Sequence, residues 1–343
     1  LHVRSRRQRQ MCIRDSLCFK RKKQHLPLLF FQKQHLPRTP ILEKNDKLVF
    51  NDEKPNSEEK KKLTVPDLIQ RKKDQQRVVM VAAPDFLMAQ WAERAGIDFI
   101  GIGDSLGMTL YGHPTTLPMT VDMMIEHTKA VRRGAPNTLT VTAMPFGSYP
   151  TPDVAVHNAL RLMKEGEAEV VKMQGGREKF EIIKAIADSG VPVMSHVGMC
   201  PHFVNSYGGF RLQGKTAKDA LTIIDNAKAI QEAGAIGMEV EAVPPQVGQA
   251  VEDAVDIFTF SIGAGGASCG QLLNGADLIG SFDSFKPKFA KRYGNVGEVA
   301  IKAFSDYANE VRSGSFPDDN PVSYTHLRAH ETSLHLVCRL LLE

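Results

Sequence analysis

The sequence predicts a (β/α)8 barrel, the TIM-barrel class, over residues 63–321, and three observations predict it. Short apolar runs alternate with amphipathic helical stretches from Leu63 to Pro321, the pattern of parallel strands with helices outside them. Seven or eight such units fit into about 250 residues, which suits a closed barrel better than an open sheet. Polar residues (Asp85, Asp104, Ser105, Lys172, Gln174, His196, Glu239 and Glu241) fall where the predicted strands end. In a barrel the carboxyl ends of the strands carry the chemistry, so this clustering points to an enzyme.

The elements follow in order. VVMVAAPD (78–85) is a strand, and FLMAQWAERAG (86–96) is a helix that stops at Gly96. IDFIGIGDS (97–105) is the next strand, VDMMIEHTKAVRRG (121–134) a helix, TLTVTAMPF (138–146) a third strand and DVAVHNALRLMKEG (153–166) a helix. EVVKMQGG (169–176), VPVMSHVG (191–198), AIGMEVEAVP (235–244) and DIFTFSIGAGG (256–266) continue the strand series, with helical stretches between them. No Pro/Ser-rich linker or break in composition divides residues 63–320.

At 343 residues, 42% hydrophobic and 24% charged, the chain has the composition of a globular protein. It has no apolar run of 18 residues, which excludes a helical membrane span of the usual kind. The formal charge of +4 hides a division: residues 63–320 hold 24 Lys and Arg against 30 Asp and Glu, and the ends carry the basic excess. The predicted barrel is therefore acidic, and nucleic acid is not an expected partner. Of five cysteines, only Cys200 and Cys269 lie in the barrel, with neither a CxxC pair nor a zinc spacing. That suits a reducing, cytoplasmic setting without a structural metal.

The ends call for a different reading. RRQRQMCIRDS (6–16) and VSYTHLRAHET (322–332) are translations of the two halves of a transposase-type sequencing-library adaptor, and LVCRLLL (336–342) fits the primer that follows. Residues 1–16 and 322–343 are thus expected to be adaptor sequence and are set aside. The same origin accounts for His326 and His330, which stand at helical metal-binding spacing. Residues 17–62 lack Met, repeat KQHLP at 23–27 and 33–37, and run basic before NDEKPNSEEKKK. Untranslated upstream sequence is the favoured reading, against an organelle-targeting extension or a disordered tail.

Several residues stand out chemically. GIGDSLG (101–107) has GxGxxxG spacing, not the GxGxxG of a dinucleotide loop, and no helix is expected directly after it. It reads as a strand delivering Asp104 and Ser105 to the barrel rim, with Asp104 as a turn cap the simpler alternative. Lys172 and Gln174 lie two apart and face one side of their strand. An inward Lys needs an anionic partner, either a substrate carboxylate or an internal acid. Glu239 and Glu241 share the same spacing, and two carboxylates on one face would raise one pKa, as a general base near neutral pH requires. His196 is either a substrate hydrogen-bonding group or a satisfied core histidine. SIGAGG (261–266) offers backbone N–H groups to an anion.

Taken together, LTVPDLIQRK (63–72), GDSLGMTLYGHPTTLPMTVDMMIEHTKAVRRGAPN (103–137), MPFGSY (144–149), SHVGMCPH (195–202), NSYGGFRLQG (205–214), VEAVP (240–244), IGAG (262–265) and PKFAKRY (287–293) resemble the ketopantoate hydroxymethyltransferase family, in order along the chain. The family belongs with the phosphoenolpyruvate mutase/isocitrate lyase-like barrels. The resemblance implies hydroxymethyl transfer from the co-substrate 5,10-methylenetetrahydrofolate to 3-methyl-2-oxobutanoate, a step towards pantothenate, through an enolate stabilised by Mg²⁺. It also implies homo-oligomers.

Carried over by motif, Asp104 would bind metal and substrate, Ser105 and Lys172 would hold substrate oxygens, His196 would contact substrate, and Glu241 would be the base. The chain departs from the family at two metal positions: Ala143 stands for an aspartate and Gln174 for a glutamate, and Glu239 is a candidate substitute acid. Two other readings follow from these departures. One is a related barrel lyase or aldolase acting on another 2-oxoacid, with or without metal. The other is a non-catalytic paralogue that binds a small anion.

Overall fold

The computed structural model describes residues 61–285 and 287–317, together with the strand residues 41–42 and 48–49. The chain divides into two compact units, Leu1–Glu58 and Glu59–Glu343. In the first, β1 (Ile41–Leu42) pairs antiparallel with β2 (Leu48–Val49). The expectations for residues 1–16 and 322–343, and for all of 17–60 outside that ribbon, lie outside the described residues.

The second unit opens with α1 (Val65–Lys73), capped by a reciprocal pair: the Thr64 hydroxyl accepts the Asp67 N–H, and the Asp67 carboxylate accepts the Thr64 N–H at 2.8 Å. Such a box satisfies two N–H groups that the first helical turn leaves without partners. Just before it, Lys62 reaches Glu169 at 2.6 Å, which ties the residues ahead of α1 to this unit.

The strands are β3 (Val78–Ala82), β4 (Phe99–Ile102), β5 (Leu139–Ala143), β6 (Val170–Lys172), β7 (Val193–Gly198), β8 (Gly237–Glu241), β9 (Phe258–Ile262) and β10 (Gly270–Asn274). Each pairs in parallel with the next, and β10 closes on β3, with Gly270 opposite Val78, to make an eight-stranded barrel. After α1 come α2 (Phe86–Arg94), α3 (Leu106–Thr109), α4 (Val121–Gly134), α5 (Pro152–Lys164), α6 (Phe180–Asp188), α7 (Val204–Tyr207), α8 (Ala217–Glu232), α9 (Pro245–Ala254), α10 (Gly275–Ile279) and α11 (Val296–Ser313). Side-chain caps set several starts: the Asp85, Thr120 and Thr216 oxygens accept the N–H groups of Met88, Met123 and Asp219. Among the described residues, no helix is long and apolar enough to cross a membrane.

The period of two along the strands divides the interior. Inward residues at the amino end of the barrel are apolar: Val78, Met80, Phe99, Leu139, Val170, Met194, Phe258 and Phe260 form one buried cluster. The Phe260 ring lies 4.8 Å from Phe258 and 5.5 Å from Phe99. Gly270 leaves room for it, because a Cβ there would come within 2.4 Å of the Phe260 ring. Further along the strands, at the same period of two, the inward positions become Ala143, Lys172, His196, Glu239 and Glu241. The outward residues pack against the helices as a second, larger core that includes Ile100, Ile102, Val171, Val193, Met238 and Val240.

Three expectations change. β6 ends at Lys172, so Gln174 sits on the turn beyond it, where Gly175 at φ 129° brings the chain back to bridge His196. A short helix, α3, does begin directly after Ser105. Finally, the eighth strand is GQLLN (270–274), which follows the Gly-rich turn with no helix between.

Candidate active site

At the carboxyl ends of the strands the barrel opens into a cavity of about 680 Å³, on the scale of sites that enclose small molecules. Asp104, Ser105, Lys172, Gln174, His196, Glu239 and Glu241 all line it, and so does Ala143. Every predicted site residue is therefore gathered on one floor. Asp85 is not part of it, because its carboxylate caps α2.

Lys172 is buried at the end of β6, and its Nζ donates to Glu239 Oε2 at 2.9 Å. Burial alone would pull the ammonium down, but the Glu239 and Asp104 carboxylates outweigh it and hold Lys172 above the usual lysine range. Of the two partners the sequence left open for this lysine, the internal acid is present. Glu239, the candidate substitute acid, reaches the cavity with one oxygen occupied by that ammonium.

Glu241 faces the same cavity at the end of β8, its side chain 14% exposed. Its carboxyl is pushed up to about 8, first by burial and then by the Asp104 charge, against the pull of Lys172. The expectation that a carboxylate pair would raise one pKa is corrected in its cause: Glu239 spends its charge on Lys172, and desolvation raises Glu241.

His196 is buried, with Nδ1 3.3 Å from Glu239 Oε2 and Nε2 3.2 Å from Glu241 Oε2, and neither nitrogen makes a hydrogen bond. Burial, aided by Lys172, lowers its pKa to about 3. These contacts are thus approaches of a neutral imidazole to two acids and not ion pairs. A buried, unsatisfied ring on a cavity wall is a polar group in want of a ligand.

Asp104 lies just past β4, buried, and is not a turn cap. Its Oδ2 meets His202 Nε2 at 2.5 Å. Burial would raise its pKa, but His202 and Lys172 outweigh it and hold the carboxyl below the ordinary range. Ser105 Oγ accepts from Asn274 Nδ2 at 3.3 Å, across the barrel closure. In the SIGAGG turn the Ala264 N–H is taken by Ser261 Oγ, and Gly265, at φ 94°, lies against Pro245, where a Cβ would come within 2.9 Å.

Two buried residues that hold the lining residues Asp104 and Gln174 from behind were not singled out by sequence, His202 and Tyr149. The His202 backbone N–H donates to Gln174 Oε1 at 2.9 Å, and its Nδ1 lies 2.6 Å from the Tyr149 hydroxyl. Tyr149 Oη in turn accepts the Gln174 N–H at 3.3 Å. They close the segments MPFGSY (144–149) and SHVGMCPH (195–202), so the signal was an aromatic and a histidine at motif ends six or fewer residues past a strand.

The side chains do not fit the Mg²⁺ that the resemblance implies. A hard dication asks for anionic oxygens. Ala143 supplies none, Gln174 Oε1 already accepts from His202, Asp104 Oδ2 is held by the imidazole, and Glu239 Oε2 by Lys172. Among the described residues, no three His, Cys, Asp or Glu side chains stand together as a metal-holding group.

Comparisons with known proteins agree with this architecture. The family model described as ketopantoate hydroxymethyltransferase matches residues 62–319. A 3-methyl-2-oxobutanoate hydroxymethyltransferase of Methylibium petroleiphilum is 45% identical over 279 residues, covering 81% of this chain and 95% of that protein. One from Alkaliphilus metalliredigens is 46% identical over 76% of this chain and 93% of its own length. Among solved structures, a phosphonopyruvate hydrolase superposes with a TM-score of 0.51 at 13% identity, over 80% of this chain and 94% of that one. A 2,3-dimethylmalate lyase of the phosphoenolpyruvate mutase/isocitrate lyase superfamily gives 0.50 at 11%, over 75% and 90%. At such identities these two speak for the barrel alone. With the family matched over the whole barrel, the chain belongs to the ketopantoate hydroxymethyltransferases.

Proposed function

We propose that the chain transfers a one-carbon unit from 5,10-methylenetetrahydrofolate to 3-methyl-2-oxobutanoate, with one water supplying the hydroxyl oxygen, to give 2-dehydropantoate and tetrahydrofolate. The observation that carries this reading is that Glu241, a carboxyl lining the cavity, shares its floor with the buried Lys172 ammonium. The chemistry needs that pair. The C3 proton of a 2-oxoacid leaves only if a base takes it while positive charge or hydrogen-bond donors receive the oxyanion that forms. Glu241 takes the proton, and Lys172 Nζ and the Ser105 hydroxyl donate to the substrate oxygens. His196 hydrogen-bonds the substrate through a ring nitrogen that has no protein partner. The one-carbon unit then loses both its bonds to folate nitrogens: one is replaced by the bond to the enolate carbon and the other by the water hydroxyl, while the C3 proton and the remaining water proton go to the two nitrogens.

The mouth of the cavity supports a place for the folate. Phe210 and Phe285 face each other with ring centroids 6.3 Å apart, and Phe282 and Phe289 line the same wall. Aromatic faces suit a flat heterocycle. The barrel's two cysteines are free thiols, which supports a cytoplasmic site of action. The exposed apolar side of α11, with Val299, Phe304 and Tyr307 more than half exposed, supports assembly of several copies.

The test is proton NMR of 3-methyl-2-oxobutanoate with the full chain, with and without 5,10-methylenetetrahydrofolate. We expect the C3 proton to exchange with deuterium, and 2-dehydropantoate to form only when the folate is present. A folded chain that does neither leaves a lyase on another 2-oxoacid or a binding protein as the reading to pursue.

A further inference from the structure

The floor of the cavity is organised around hydrogen bonds where the resemblance implies a dication. We propose that this chain forms its enolate without a divalent cation: of the three implied metal positions only Asp104 keeps a carboxylate, one oxygen of which is taken by a buried Tyr149–His202 pair fastened by Gln174, and the Lys172 ammonium is the positive charge that meets the substrate oxygens. The proposal rests on the enolate chemistry put forward above.

Tyr149 Oη accepts the Gln174 N–H and shares a hydrogen bond with His202 Nδ1, 2.6 Å away. His202 Nε2 then donates to Asp104 Oδ2 at 2.5 Å, a charge-assisted contact and so a strong one. His202 is fixed from three further sides: its backbone N–H on Gln174 Oε1, its ring stacked 6.0 Å from Tyr149, and the Phe146 ring edge-on at 5.8 Å. Tyr149, Gln174, His202 and Asp104 are all buried. With Asp104 Oδ2 taken by the imidazole, Oδ1 is left as a single anionic oxygen, short of the set that a hard dication asks for.

The two departures thus act together. Gln174 as an amide can accept from the His202 N–H with its oxygen while adding no charge. Ala143 points a methyl group inward at the end of β5, buried and without a donor. Neither position supplies the anionic oxygens that hold a hard cation.

Lys172 takes over the electrostatic part. An ammonium has three N–H donors, and Glu239 is the one hydrogen-bond acceptor it meets among the described residues. Two donors remain on the cavity side. Asp104, held by His202, adds a fixed negative charge that keeps this ammonium in place, which makes His202 a positioning residue for the site and not a group that touches substrate.

The test follows C3 deuterium exchange of 3-methyl-2-oxobutanoate with EDTA and with added Mg²⁺, beside a Mn²⁺ titration read by electron paramagnetic resonance. Exchange rates in the two tubes should agree within about twofold, since a Lewis-acid ion that is used is worth several powers of ten. Mn²⁺ should keep its free-ion spectrum, with the 2-oxoacid present or absent. The A143D/Q174E variant, which returns two carboxylates to the floor, should take Mn²⁺ up. Loss of exchange by about a hundredfold in EDTA, restored by Mg²⁺, overturns the proposal, and so does uptake of one Mn²⁺ per unaltered chain. Absence of exchange from both tubes overturns the enolate reading itself, while the Mn²⁺ titration separates that failure from a wrong assignment of the cation.

Discussion

Two acids on one strand face a single lysine, and their roles diverge because only one of them touches it. Glu239 Oε2 sits 2.9 Å from Lys172 Nζ, whereas Glu241 has no Lys or Arg partner among the described residues, only the His196 ring at 3.2 Å, and burial pushes its carboxyl up to about 8. A base must be ionised to act, so exchange should rise with pH and level off above about 8, as read from kcat/KM for the free protein. Glu241→Gln should lower exchange by about 10²–10⁴-fold and remove that limb; an unchanged profile would remove Glu241 as the base. The Lys172–Glu239 pair makes a separate prediction, on stability. Lys172→Met leaves a buried carboxylate alone and should cost about 3–5 kcal/mol in urea denaturation, most of which the K172M/E239Q double variant recovers, because the penalty is the orphaned charge and not the lost pair. Equal losses in both variants would mean that packing, not charge, sets the cost.

At the level of elements, the site depends on how closely β7 and β8 approach at their ends. Gly198 closes β7 opposite Glu241 in the register, at φ 88°, and a Cβ there would come within 2.2 Å of the Glu241 carbonyl oxygen. Gly198→Ala should therefore cost roughly 3 kcal/mol from strain and backbone displacement together, and slow exchange by moving Glu241. Gly147, at φ 79° with open space around it, isolates the strain alone, and Gly147→Ala should cost roughly 1 kcal/mol. Equal costs would mean the β7–β8 approach is not what requires glycine. This dependence also explains what the sequence disclosed. Strand and helix cores follow hydrophobic period, and α4 was legible to its ends because Thr120 and Gly134 punctuate it. Strand ends were not legible: the apolar run 169–176 continues past Lys172, but the chain bends at Gly175. GQLLN escaped notice because a five-residue strand with an exposed Gln271 has too little pattern to read. His202 and Tyr149 escaped for another reason, since their partners lie on loops whose meeting is a tertiary event with no local period.

On the scale of the whole molecule, the barrel buries its strands, yet one helix remains outside that economy. No residue of α11 is buried, although Val296, Phe304, Tyr307 and Val311 share one of its faces at helical spacing. An 18-residue helix holds its shape mainly by packing an apolar face, since helical propensity alone is marginal at that length. An exposed stripe of this kind marks a contact surface, and a second copy of the chain is the partner we expect, as in the homo-oligomers the resemblance implies. The site residues belong to the barrel strands and the loops that follow them, and α11 contributes none to the cavity, so assembly and chemistry should separate in one variant. Light scattering on the intact chain should give the mass of several copies. Phe304→Asp, placing a charge on the most exposed of these rings, should shift it towards the mass of one copy, since a buried unpaired carboxylate at an interface costs several kcal/mol. C3 exchange in that variant should stay within about threefold of the unaltered chain, a change of less than 1 kcal/mol in the barrier. A single-copy mass before any substitution would sink the assembly and leave α11 to be explained by a different partner. Loss of exchange together with loss of mass would mean instead that neighbouring copies hold the barrel's rim in its working shape.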